Sequence, residues 1–336
     1  MRLRPGLSLV VIALCVWVSV ALPADTLPSQ LTDPQFWKMI TDFSEPGGSF
    51  HLEIITSNET SYQSIMPDLM RVAKPGGTYF GVGPEQNFTY VAALQPKIAF
   101  IFDVRRDMML EHLMYKSIFE MSANRVEFVA NLFARKPPAQ LTDASSVQAI
   151  FQSFARTSAD TLLADARLKD ILARLKTTHG FTLNAADESR IRTIYRTFVS
   201  EGVLQFSSSF MSPGFAGLMT TTDRNGKNWS FLATRDNYDR VRTMHQRNLI
   251  VPLVGDFGGT KALRMAGQYL RDHGALLNVF YVSNVEDYIG GVWTQYVNNI
   301  ASFPMDASSV LIRWHVGQTN SVGSMSSFVN QQRRGR

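Results

Sequence analysis

Residues Pro75–Arg106 read PGGTYFGVGPEQNFTYVAALQPKIAFIFDVRR, and the patterns in them follow the order of a β-turn-α-β unit. Thr78–Phe80 is a short β-type run that enters the glycine turn Gly81-Val82-Gly83-Pro84. An apolar helix is expected from Glu85 to Leu94, and Gln95-Pro96 breaks it. Lys97–Val104 is a second β run with Asp103 near its carboxyl end. Gly81 and Gly83 allow close backbone approach, and Pro84 suits the first turn of a helix whose free amides attract electron-rich groups. Asp103 follows Gly83 at the distance at which an acid in such units accepts ribose hydroxyls.

Working outward, the same logic predicts a doubly wound, mostly parallel α/β sheet over residues 32–316. Before the unit, a short run His51–Ile55 precedes a helix expected over Glu59–Val72, with Ser57 or Asn58 as its cap. After it, Met108–Ala134 has a 3.6-residue apolar rhythm, and more helices follow to Val203. This block reads as a helical insertion at about 137–207. Glu111, His112, Tyr115 and Lys116 cluster near the start of the helix that follows Asp103. They read first as a solvated polar face, second as the edge of a site. Gly217–Thr221 and Trp229–Ala233 flank Asn225-Gly226 as an expected hairpin. Leu249–Val254 is a strand despite Pro252, and Gly255-Asp256-Phe257 closes it. Leu276–Val282 is another, ending at Ser283-Asn284, and Val310–Trp314 is the last. The polar tail 317–336 is expected to be disordered.

Composition bounds the rest. A 45% hydrophobic and 18% charged chain of 336 residues is globular with an ample core. Met1–Ala24 has the basic, apolar and small-residue zones of a signal peptide, which predicts a periplasmic or secreted protein; an uncleaved N-terminal anchor is the alternative. Its loss removes Arg2 and Arg4 and no acid, leaving 31 basic against 28 acidic residues. That near balance argues against a nucleic-acid partner and, with the apolar segment gone, no stable membrane insertion is expected. The one cysteine, Cys15, lies inside this segment, so thiol chemistry and cysteine-bound metal are not expected of the mature chain. The six histidines show no ligand spacing, and no metal is predicted. No Gly-x-Ser-x-Gly elbow and no phosphate loop occurs.

The unit resembles the class I S-adenosylmethionine-dependent methyltransferase fold. More closely, through Gly81-Val82-Gly83-Pro84-Glu85-Gln86-Asn87-Phe88-Thr89-Tyr90, it resembles an uncharacterised bacterial family of exported methyltransferase-like proteins. The likeness extends to Asp103-Val104-Arg105-Arg106, Gly255-Asp256-Phe257 and Tyr281-Val282-Ser283-Asn284. It implies S-adenosylmethionine as cofactor, held by Gly81, Gly83, Glu85, Asn87 and Asp103, with an acceptor near Asp256 and Asn284 as the catalytic pair. The chain departs from the superfamily at Tyr79, where an acid usually precedes the glycines, and at Glu85, which replaces a third glycine. Two functions follow: methyl transfer to an unidentified acceptor, or a non-catalytic periplasmic binding protein that keeps a nucleoside or small-molecule crevice. Asn58, Glu59 and Glu286 are weaker site candidates, with helix capping as their default role.

Overall fold

A computed structural model of the chain describes residues 25–50, 55–200, 204 and 214–334. The expected signal peptide, 1–24, and most of the run 51–55 lie outside the described residues. Six strands form one sheet: β1 (Thr78–Val82), β2 (Ile98–Asp103), β3 (Ile250–Val254), β4 (Val279–Ser283), β5 (Val310–Arg313) and β6 (Ser321–Ser324). Their spatial order is β3-β2-β1-β4-β5-β6. Five strands are parallel, and β6 pairs antiparallel with β5. The order reverses between β1 and β4, so the fold is a doubly wound, Rossmann-like α/β sheet with its switch point there.

The helices follow from local signals. Thr32 and Gln35 make a reciprocal capping box for α1 (Asp33–Phe43), with Pro34 in its first turn. The short α2 (Met66–Val72) stops at the Lys74-Pro75-Gly76-Gly77 break. In the central unit, α3 (Gln86–Leu94) follows Pro84 and ends on Gln95 in the left-handed region, φ 47°. The predicted long helix after Asp103 is two: α4 (Arg106–Met121) and α5 (Arg125–Leu132). Asn124 caps the second by accepting from Glu127 N, which restarts the chain in a new direction. Within the expected insertion lie α6 (Val147–Phe154), α7 (Thr161–Ala173) and α8 (Ala185–Val199). α7 and α8 pack on α4, and α6 packs on the later helix Phe215–Thr220.

The expected hairpin is not formed. Gly226 does turn the chain at φ 80°, and Asp223 N bonds Lys227 O at 2.9 Å. Its flanks are instead a helix, α9 (Phe215–Thr220), and an irregular segment. Asn228 Nδ2 holds Met219 O and Trp229 N holds Gln63 Oε1, so side chains replace the ladder. Next come α10 (Arg235–Gln246), α11 (Ala262–Asp272) and α12 (Trp293–Ala301). The disordered tail is also corrected: β6 extends the sheet, and α13 (Met325–Arg334) buries Met325, Phe328 and Val329. Three apolar residues at helical spacing, among polar ones, suffice to anchor it.

The two faces of the sheet differ. Phe80, Phe100 and Phe280 share one face by register, toward α1, α11 and Phe303. Tyr79 and Tyr281 share the other, where Tyr90 of α3 stacks between them.

Candidate functional site

The carboxyl ends of four strands surround a cleft of about 320 Å³ at the switch point. Val82, Gly83 and Pro84 come from the end of β1, and Asp103, Val104 and Arg105 from β2. Asp256 and Phe257 follow β3, and Ser283, Asn284 and Val285 follow β4. Phe50 and Tyr288 meet edge to face at 4.9 Å on its rim. The segment before Phe50 is tied across the strand ends, Glu45 N to Val254 O at 2.9 Å and Gly48 N to Val104 O at 2.8 Å. Glu45 also holds the amides of Lys261 and Ala262 at the start of α11, at 2.7 and 3.1 Å. That helix end is therefore satisfied within the chain.

Of the residues expected to hold a cofactor, Gly83 and Asp103 line the cleft, and Gly81, Glu85 and Asn87 do not. Gly83 needs its freedom, having φ 79°. At Gly81 a Cβ would overlap Asn87 Oδ1 and the Tyr79 ring. Asn87 is the clamp of the turn: its amide donates to Val82 O, Gly83 O and Pro84 O at 2.8, 3.1 and 2.8 Å. Its Oδ1 accepts from Tyr79 Oη at 2.8 Å. Tyr79, the departure before the glycines, thus shapes the turn from below. Glu85 is fully buried, accepts from Ser57 N at 3.2 Å, and is pushed up to about 7 by burial.

Asp103 is gripped by its neighbour. Arg105 N and Nε donate to Oδ1 at 2.8 and 3.0 Å, and Nη2 donates to Oδ2 at 3.1 Å. Asp256 is exposed on the cleft wall, where its Oδ1 accepts from Gly258 N at 2.8 Å. Asn284 sits beside Ser283, whose Oγ reaches Asn284 Oδ1 at 3.3 Å. Glu286 lies away from the cleft, taking Tyr296 Oη at 3.0 Å and Arg313 Nη1 at 3.3 Å. It is a structural acceptor.

Glu59 carries more of the site than its sequence suggests. It lines the cleft although only 1% exposed, and accepts from Tyr281 Oη, Ser283 Oγ and, at 2.8 Å, Asn320 Nδ2. Burial pushes its carboxyl up, against the pull of those three donors. Ser283 takes φ 51° at an irregularity in the β4–β5 pairing, which turns its Oγ toward Glu59. Gln86 of the cleft donates to Tyr281 Oη at 3.1 Å, and its buried Oε1 has no hydrogen-bond partner among the described residues. The sequence signals for this group were the weaker candidate Glu59 and the polar strand end at Ser283-Asn284.

The Glu111 to Lys116 cluster is no solvated face. All four side chains are buried, at 1, 2, 0 and 2% exposure for Glu111, His112, Tyr115 and Lys116. His112 Nε2 donates to Gly83 O at 2.9 Å, and burial brings its ring down to about 4. Lys116 pairs with Glu120 at 2.7 Å, away from the cleft. Among the described residues Glu111 Oε1, His112 Nδ1 and Tyr115 Oη have no hydrogen-bond partner. Among the described residues no group of three His, Cys, Asp or Glu could hold a metal ion, and no helix is long and apolar enough to cross a membrane.

Fold and cleft together define a doubly wound α/β protein with an acid-lined crevice at its switch point. The chain belongs to the family described as Domain of unknown function (DUF7790), whose model matches residues 54–332. A comparison with curated proteins finds no match.

Proposed function

We propose that this chain is an exported, methyltransferase-like protein that binds S-adenosylmethionine in the switch-point crevice and transfers its methyl group to a small acceptor. The observation that carries the reading is the chemistry of the crevice: its groups are mostly acceptors. Asp103, Asp256, Glu59 and the partnerless Gln86 Oε1 line it, and its cation, Arg105, is bound to Asp103. Such a wall suits a ligand that brings hydrogen-bond donors and positive charge, as the amino group, ribose diol and sulfonium of this cofactor do. The volume falls within the range of small-molecule sites.

The cofactor, when bound, supplies a methyl group on a positively charged sulfur. The protein's part is alignment and charge. Asp103 faces the ribose, with Arg105 fixing the carboxylate plane. The Gly83 turn lets the backbone approach closely, and Glu59, held by Ser283 and Tyr281, backs the crevice floor. Asp256 takes the acceptor's proton, and Asn284 orients the acceptor. A second reading, a binding protein without turnover, is favoured by the grip of Arg105 on both oxygens of Asp103.

Calorimetry of the chain with S-adenosylmethionine and S-adenosylhomocysteine tests the proposal. Saturable binding is expected, weakened roughly ten- to a hundredfold by Asp103→Asn, the loss usual for a charged hydrogen bond. No heat at millimolar ligand overturns it. Binding of both ligands without turnover on an acceptor panel supports the second reading.

A further inference from the structure

Beside the crevice lies a separate pocket of about 100 Å³ between α4 and α8, and Arg105 lines both. We propose that this pocket binds the ammonium end of a small alkylamine, with the Glu111 carboxylate as its counter-ion.

The argument starts from what in the pocket is already satisfied. Arg105 lies against Asp103, and Arg190 Nη2 meets Asp107 Oδ2 at 2.8 Å, so each charge on the walls has an opposite beside it. Glu111 is different. It is 1% exposed, lines the pocket, and its Oε1 has no hydrogen-bond partner among the described residues. A buried carboxyl oxygen left this way costs free energy that an incoming donor would recover. The group that fits must therefore donate. The remaining lining is the apolar Ile55, Met108 and Ile194 with the threonines Thr193 and Thr197, and the apolar part suits a short hydrocarbon arm behind the donor. The volume is about that of three waters, which matches a propyl-sized amine and excludes anything much larger.

The charges around Glu111 sharpen the prediction. Burial holds its carboxyl well above the usual range, helped by Glu85, Asp103 and Asp107, against Arg105. Its own helix also brings His112 and Tyr115, both buried and neutral, and α8 brings Arg190 across the pocket. Empty, the pocket thus holds a protonated Glu111. An alkylammonium ion entering it makes the ionised form favourable, so the carboxyl proton leaves to solvent as the ion pair forms. Affinity then rises with pH until the amine itself loses its proton. That this amine is the methyl acceptor rests on the reading above; that the pocket takes an amine does not.

The experiment is calorimetry of the full chain with n-propylammonium chloride, without S-adenosylmethionine, in two buffers of different ionisation enthalpy. Expected are saturable binding and release of close to one proton per amine. n-Propanol should bind roughly ten- to a hundredfold more weakly. Glu111→Gln should lose the proton release and most of the affinity. Thr197→Trp, at the exposed rim of the pocket, should block binding with Glu111 intact. No saturable heat from the amine, equal binding of amine and alcohol, or undiminished binding by folded Glu111→Gln each overturns the proposal. Amine binding in a chain that ignores S-adenosylmethionine would sink the methyl-transfer reading and leave this one standing.

Discussion

The two faces of one sheet are built from neighbouring residues and could hardly differ more. Phe280 and Tyr281 are consecutive, as are Tyr79 and Phe80, and the pleat sends them to opposite sides. On the phenylalanine side, Phe80 lies 5.3 to 6.0 Å from the rings of Phe100, Phe102, Phe280 and Phe303. On the tyrosine side, the hydroxyls of Tyr79, Tyr90 and Tyr281 each have a partner, and the acids Glu59, Glu85 and Glu111 are buried. One face supplies cohesion. The other spends part of that cohesion on buried acids, whose desolvation is unfavourable unless they are bonded. Acids placed that way are the usual mark of a working site.

If the division is right, the two faces should break differently. The largest effect is expected from Phe80→Ala, which empties the centre of the dry cluster. A buried phenylalanine truncation costs about 3–5 kcal/mol, read as a lower urea midpoint with no change in pH dependence. A loss below about 1 kcal/mol would mean that the dry face is not the main source of stability.

The next effect belongs to pH. Glu85 has its folded pKa raised from 4.5 to about 7, so the folded state binds more protons than the unfolded one between those values. Its contribution is present below pH 4.5 and lost as pH rises to 7. His112 has its ring lowered from 6.5 to about 4, so the unfolded state binds more protons and stability rises over that window. The two slopes oppose each other between about pH 4.5 and 6.5. Glu85→Gln should therefore gain on the parent by up to about 3 kcal/mol from pH 4.5 to 7. His112→Gln should shift the other way, losing on the parent as pH climbs from 4 to 6.5. Parallel stability curves for parent and Glu85→Gln would show that Glu85 does not titrate as a buried acid.

Much of this was open to sequence reading, and the failures have physical causes. The Gly81 to Pro84 turn, Asp103, Asp256 and Asn284 could be placed because strand ends are marked by abrupt changes from apolar to polar or glycine. Glu59 ranked only as a weaker candidate, because Ser57-Asn58-Glu59 looks like any helix cap. What makes it a buried acceptor is Asn320, 261 residues away. Glu111 and His112 looked solvated since polar residues at helical spacing imply water. α7, α8 and α10 pack over α4 and remove it. Gly81 and Asn87 were legible as a turn but not as its internal scaffold, since which glycine faces a ligand depends on where Tyr79 points. The tail failed on composition: Ser, Gly and Gln dominate it, and three apolar contacts outweighed them.

The smallest effect probes the seam between the faces. Tyr281 Oη donates to Glu59 and accepts from Gln86 Nε2 at 3.1 Å. Tyr281→Phe keeps the ring against Tyr90 and deletes only the hydroxyl. Gln86 then has a buried donor without its acceptor, and Glu59 has one donor fewer. The cost of such an orphaned buried group is about 1–2 kcal/mol, less than that of Phe80→Ala because no cavity of ring size opens. Its sign with pH is also fixed. The Tyr281 hydroxyl pulls the Glu59 pKa down, so removing it lifts that carboxyl further above the usual range. The deficit of the variant should therefore grow as pH rises through the folded pKa of Glu59, which lies above the unfolded value of 4.5. Chemical denaturation of parent and variant at pH 4 and pH 7 measures both. A variant as stable as the parent at both values would mean that the hydroxyl is not holding Glu59, and the tyrosine face would then be cohesive for the same reason as the other: its rings.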